Sequence, residues 1–204
     1  MGPEDRTELE GTIAMHRAAG DLQAAATVAI KGYGPEILGY LFAATQREQE
    51  SAEVFSDFCE DLWRGLPGFR GESTFRTWAY RLAYHALARS ARDGARRRQR
   101  VVDLAELPEI EALVVQVRTR TLPHLRTEVK DRVRQLREQL GEDERTLLVL
   151  RIDRRLGWDE IARIMEPDAP TQERVKRLSG TLRKRFERIK ARLRELSKEL
   201  AVGE

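Results

Sequence analysis

Apolar positions in this chain recur with the 3.6-residue period of an amphipathic helix and almost never with the alternation of a strand. Val101-Val102 and Val114-Val115, the nearest approach to strand patterning, are short and flanked by acids. Residues 4–17 suit an opening helix. Residues 21–44 read as one or two helices carrying Ala25, Val28, Ala29, Ile37, Leu38 and Leu41, with a break expected at Gly32-Tyr33-Gly34-Pro35. A helix over 51–63 has the stripe Phe55, Phe58, Cys59, Leu62, with Ser51 as its expected N-cap. After the Pro67–Gly71 turn, Ser73 is placed to cap a helix from Phe75 to about Arg92, on which Phe75, Trp78, Ala79, Leu82, Ala83 and Ala86 share one face.

Pro108 and Pro123 punctuate residues 101–125, which read as a linker with some helical or ordered apolar patches. Helices are expected again over 126–140 and 142–153. A short one follows over 158–165, with Trp158, Ile161, Ala162 and Met165 on one side. Pro167 and Pro170 precede a long basic helix from about 171 to 200. The expected fold class is therefore all-α: two small helical domains joined by a flexible linker. Its boundaries are an N-terminal extension at 1–20, a first domain at 21–100, the linker at 101–125 and a second domain at 126–204.

The formal net charge is only +3, so whole-chain charge says little about partners, but its distribution says more. Residues 89–100 hold six arginines against one acid, and residues 174–194 hold ten basic residues against one. Between them, residues 101–115 contain four acids and no base. Two basic ends around an acidic middle suggest two nucleic-acid contacts. The single cysteine, Cys59, cannot close an internal disulfide and reads as a core residue. His16, His85 and His124 are scattered, and neither metal spacing nor a nucleophile motif appears, so no enzyme, cofactor or metal is expected. With no leader segment and no apolar run of membrane length, a cytoplasmic location without membrane insertion is expected.

Two constellations carry candidate chemistry. In LPGFRGESTFRTWAYRLAYHAL, residues 66–87, arginines 70, 76 and 81 lie among Phe69, Phe75, Trp78 and Tyr80. Aromatic faces stack on unpaired bases and arginines neutralise phosphate, although the same spacing also suits a buried helix with solvated arginines. The second is a short apolar helix, a turn and a longer basic helix, the layout of a helix-turn-helix; a charged solvent-facing helix or coiled coil is the alternative.

On these residues a resemblance rests. Residues 33–41 (YGPEILGYL), 52–58 (AEVFSDF), 62–73 (LWRGLPGFRGES) and 75–78 (FRTW) resemble the second conserved region of bacterial sigma factors of the small extracytoplasmic-function class. Residues 159–162 (DEIA) and 190–196 (KARLREL) are similar to that class's fourth region. The resemblance spans about 21–100 and 126–200. It implies a non-enzymatic subunit that binds core RNA polymerase and promoter DNA, both duplex and melted, with an anti-sigma factor as a further partner.

Residue by residue, it places core-polymerase docking on the 51–63 helix, through Glu53, Asp57, Phe58, Asp61 and Trp63. It places minus-ten capture on Phe69, Arg70, Gly71, Glu72 and Ser73, and on Arg76, Trp78, Tyr80, Arg81 and His85 of the following helix. Arg96, Arg97 and Arg98 would hold DNA backbone near the melting point, and the acidic linker would thread toward the RNA exit path. Within that division Phe75, Trp78 and Leu82 are candidates for core that fixes the helix, leaving the loop as the pocket. Minus-thirty-five reading falls on the terminal helix.

There the motif occurs twice, seven residues apart: Arg174, Lys176 and Arg177, then Thr181, Arg183, Lys184, Arg185 and, a turn on, Arg188. A heptad shift drifts only about 20° around a helix, so both blocks stay nearly in phase, with Gly180 between them. The first block lies nearer the helix N-terminus. The chain also carries His85 where the class often has Asn, and Gly157 where it usually has a Ser or Thr cap. The alternative function is a polymerase-independent dimeric helix-turn-helix regulator, which leaves the 69–78 segment without a role.

Overall fold

The computed structural model describes residues 2–93, 108–128, 136–166 and 171–202, and among them every regular element is helical. We number these α1 (Pro3–Ala18), α2 (Leu22–Thr45), α3 (Glu48–Gly65), α4 (Phe75–Asp93), α5 (Pro108–Glu128), α6 (Glu142–Leu148), α7 (Trp158–Met165) and α8 (Gln172–Val202). A 3-10 turn, Leu66–Gly68, follows α3, and a π-helical turn, Val149–Asp153, continues α6.

Helix α2 is the axle of the molecule, touching α1, α3, α4, α5 and α6. Its buried residues run from Ala25 to Ala44 around most of the helix, so it reads as a core helix enclosed by its neighbours. Asp21 caps it, accepting from the Ala24 amide at 2.9 Å, and Gln46 ends it in a left-handed conformation at φ 62°. No break occurs at 32–35: one helix runs through. Pro35 faces solvent, while Gly32 and Gly34 lie where partners approach closely. A Cβ on Gly32 would sit 2.4 Å from Leu9 Cδ2, and one on Gly34 would sit 3.2 Å from Val117 Cγ1. Tertiary packing against α1 and α5 overrides the local breaking tendency.

Two expected caps are also corrected. Helix α3 begins at Glu48, before Ser51, which is buried within it and donates back to the Glu48 carbonyl at 2.7 Å. The cap of α4 is Thr74, not Ser73: Thr74 Oγ1 accepts from the Thr77 amide at 3.1 Å, whereas Ser73 Oγ donates to the Thr74 carbonyl. The ordered apolar patches expected in the joining segment are α5, whose Ile110, Leu113, Val114, Val117 and Leu122 are buried. Of the helix expected over 126–140, residues 129–135 lie outside the described residues.

The C-terminal helices pack on α2 and α4. Arg145 donates through Nε to the Ala44 carbonyl at 2.8 Å. Arg154 lies against Gly39, where a Cβ would fall 2.5 Å from its Nη2. Glu160, third residue of α7, accepts from the Gly157 amide at 2.7 Å, so glycine serves at this cap with the carboxylate closing it. Cys59 is fully buried, and burial pushes its thiol up: it is a core residue.

Candidate nucleic-acid interface

The loop between α3 and α4 is held from below by an aromatic cluster. Phe69, Phe75 and Trp78 stand 5.0–5.3 Å apart, ring centroid to ring centroid, and Tyr33 stacks on Phe75 at 6.2 Å. Phe75 is buried, Trp78 and Phe69 half-buried. The ring of Phe69 is thus an anchor set into the protein, and the exposed tip is Arg70, Gly71 and Glu72, with Ser73 half-buried beside them. Gly71 takes φ +74°, a conformation that L side chains rarely adopt, so glycine is required for the reversal. Arg70 and Glu72 lie 3.9 Å apart and are well exposed.

Helix α1, which the sequence left without a role, supplies two supports. Glu10 accepts from the amides of Phe75 at 2.8 Å and Arg76 at 2.9 Å, and from the Tyr33 hydroxyl at 2.7 Å. A carboxylate therefore satisfies the first donors of α4 and complements its dipole. Burial, then Glu10 itself, pushes the Tyr33 phenol up, so it stays a donor. Arg17 donates to the Phe69 carbonyl and lies over the Phe69 ring, 4.8 Å from its centroid. The faint signal for both was a Glu and an Arg on an otherwise modest amphipathic helix.

Two residues expected to contact the minus-ten strand face the interior instead. Arg76 is 8% exposed and Tyr80 0%. Arg76 pairs with Glu36, its Nε at 3.0 Å from Oε1, and also donates to the Arg154 carbonyl at 3.1 Å. The Tyr80 hydroxyl donates to Glu36 at 2.8 Å. Burial pushes the Glu36 carboxyl up, but the Arg76 hydrogen bond and charge, with Tyr80 and Arg154, outweigh it and hold it below its usual range. Arg76 and Tyr80 are corrected to structural residues, satisfied by a carboxylate on α2.

Arg81 and His85, one turn apart, are half-buried on α4. Burial, then the charges of Arg81 and Arg89, push His85 below its usual value, with Asp61 acting in opposition. Arg96, Arg97 and Arg98 lie outside the described residues.

On α3, Glu53 is exposed and accepts from Gln49 at 3.0 Å, and Asp57 and Trp63 are half-exposed along the same helix. Asp61 forms an ion pair with Arg89 of α4. Phe58 is the exception: it is fully buried, 5.7 Å from Phe55, and belongs to the core. The docking role comes with the family resemblance, whereas the stripe Phe55, Phe58, Cys59, Leu62 is the apolar face that fixes α3 to its neighbours.

In the C-terminal unit, Ser179 Oγ donates to Asp159 at 2.7 Å and Trp158 meets Phe186 edge-on at 5.4 Å, locking α7 to α8. Val175, Leu182, Phe186 and Ile189 are buried, and Arg174, Lys176, Arg177, Thr181, Arg183, Lys184 and Arg188 are all exposed. Both candidate blocks therefore stand on one continuous helix, outside one apolar seam. They are not equivalent. Arg174 pairs with Glu166 at 2.5 Å, Arg185 with Asp143 at 3.7 Å, and Arg183 lies 5.9 Å from the Trp158 ring. Lys176, Arg177 and Lys184 carry no ion pair among the described residues. Gly180 has open space around the position a Cβ would take.

The site thus comprises an exposed loop tip on a braced aromatic base, an acidic helix before it, and two packed C-terminal helices with a basic outer face. The comparisons give the family. The model of sigma-70 region 2 matches residues 29–99. The chain is 32% identical to the RNA polymerase sigma-H factor of Pseudomonas aeruginosa over 152 residues, which cover 72% of this chain and 77% of that one. It is 30% identical over 134 residues to the RNA polymerase sigma factor YlaC of Bacillus subtilis, covering 65% and 75%. The chain belongs to the sigma-70 family of RNA polymerase sigma factors. No described helix is long and apolar enough to cross a membrane.

Proposed function

We propose that this chain is a sigma factor of the extracytoplasmic-function class that docks on core RNA polymerase through α3 and directs it to promoters read at two points. Glu53 and Asp57, with Trp63 further along the same helix, form the docking face, an acidic surface suited to a basic partner. The loop tip 70–73 captures an extruded base of the minus-ten element. Phe69 and Trp78 form the floor, and Arg70 faces the phosphates. Helix α8 enters the major groove of the minus-thirty-five element, with Lys176, Arg177 and Lys184 as its unpaired cations. An anti-sigma factor that covers both DNA modules completes the partners.

The observation that carries this reading is the pairing of an anchored ring with an exposed, glycine-reversed tip at residues 69–73. A duplex-only regulator has no use for that loop. The test is pull-down with core RNA polymerase, followed by run-off transcription from a genomic fragment library. Promoter-dependent transcripts that require the chain support the reading. Duplex binding without any polymerase association would favour a dimeric helix-turn-helix regulator and overturn it.

A further inference from the structure

We infer that the N-terminal helix α1 is part of the minus-ten reader, with Arg17 as the positioning residue that fixes the base-capture loop. The inference rests on the proposed role of loop 69–73 and adds to it an element that lies 52 residues earlier in the chain. Loop tips of small and charged residues are ordinarily mobile, and capture of an extruded base requires a preformed pocket that offsets the cost of unstacking. Something must hold the tip.

Within the loop itself little does. The Phe69 amide donates to the Leu66 carbonyl at 3.3 Å, and the exposed Arg70–Glu72 pair is too solvated to fix a backbone. Arg17 acts from outside at two points on one residue. Its guanidinium donates to the Phe69 carbonyl, which sets the peptide plane leading into Arg70. The same group covers the Phe69 ring, whose other neighbours are Phe75 and Trp78, so the ring has a cation on one side and aromatics elsewhere. Glu10, two helical turns earlier on α1, holds the first amides of α4 at the other end of the loop. One rigid helix therefore clamps both ends of the 69–74 segment and sets the distance between them. Lysine cannot replace this arrangement fully, because it lacks the planar guanidinium that bonds a carbonyl while lying over a ring.

The experiment uses Arg17→Ala and Arg17→Lys in the full chain, with Arg70→Ala as the test of the loop itself. Holoenzyme is assembled with core polymerase on a promoter recovered by the run-off selection. Opening is followed by 2-aminopurine fluorescence in the melted segment, with core affinity and thermal stability measured alongside. Loss of a charge-assisted hydrogen bond and a cation–π contact at a half-buried site predicts opening slowed by about tenfold in Arg17→Ala. Core affinity should be unchanged and Arg17→Lys should recover part of the rate. Trypsin cleavage after Arg70 in the free chain should accelerate in Arg17→Ala, a readout of loop order that global stability does not set. Slowed opening in Arg70→Ala with wild-type opening in Arg17→Ala would overturn the role of α1 alone. Wild-type opening in both would remove the loop reading on which it rests.

Discussion

Replacing Glu10 by alanine tests whether α1 is a working part of the first unit or an appendage. Its carboxylate accepts three hydrogen bonds, from the amides of Phe75 and Arg76 and from the hydroxyl of Tyr33. Tyr33 is 1% exposed, so Glu10→Ala leaves a buried hydroxyl without its acceptor, at a cost of about 1–3 kcal/mol. The two amides lie at a helix terminus that water can reach in part, so their loss is that of a helix cap, about 0.5–2 kcal/mol. Thr74 still serves the Thr77 amide, which limits the damage. The expected destabilisation is about 2–4 kcal/mol, within the range of a buried-polar or cap lesion. Glu10→Gln keeps the shape and one acceptor oxygen, and should cost roughly half as much. The assay is urea unfolding followed by far-ultraviolet circular dichroism, read as a fall in midpoint at unchanged slope. A loss below about 0.5 kcal/mol for Glu10→Ala would refute the argument, because that is the size of an ordinary surface change.

Replacing Lys176, Arg177 and Lys184 singly by alanine should flatten the salt dependence of duplex binding by about 0.9 log units per lost phosphate contact, measured by anisotropy over a salt series. Arg185→Ala, already paired with Asp143, should flatten it less. His85→Asn should alter stability against pH. Folding lowers the His85 pKa below 6.5, so the unfolded chain binds its proton first, and stability falls as pH drops below 6.5. The variant should lack that component, at most about 1.4 kcal/mol per pH unit, and equal pH profiles would reject it. Gly180→Ala should stabilise the chain by about 0.5–1 kcal/mol, because the position is helical and its Cβ meets nothing within 4 Å. Destabilisation in thermal unfolding would overturn the expectation that Gly180 is an ordinary, sterically open helix position.

Much of the helical framework was legible locally. The 158–165 helix falls where its stripe and glycine cap put it, and α8 starts one residue after its expected start and ends two residues beyond its expected end. The errors have a common origin. Gly32, Gly34 and Pro35 look like a break because propensity is a short-range quantity, and only the approach of Leu9 and Val117 makes glycine the packing choice there. Ser51 and Ser73 look like caps because their type and position fit, while α3 starts after Arg47, four positions before Ser51, and α4 is capped by Thr74, one position after Ser73. In α8 the apolar seam leaves Arg174, Lys176, Arg177, Arg183, Lys184 and Arg188 exposed and Arg185 half-buried. Which of them are spent on internal partners depends on Glu166 and Asp143, which are not in the helix.

The sequence by itself determined most of the helices, the basic outer face of α8, the turn at 67–71 and the family resemblance, because each rests on periodicity or on side chains a few residues apart. Only the tertiary structure decided which members of the aromatic-arginine segment face outward. Arg76 and Tyr80 turn inward because Glu36, 40 and 44 positions away, offers the carboxylate that makes burying a guanidinium and a phenol tolerable. The loop tip is exposed and oriented because α1, more than 50 positions away, holds both of its ends. A charge buried against a distant partner and a charge left in water have the same local pattern; the difference is a desolvation cost that only a contact across the fold can offset.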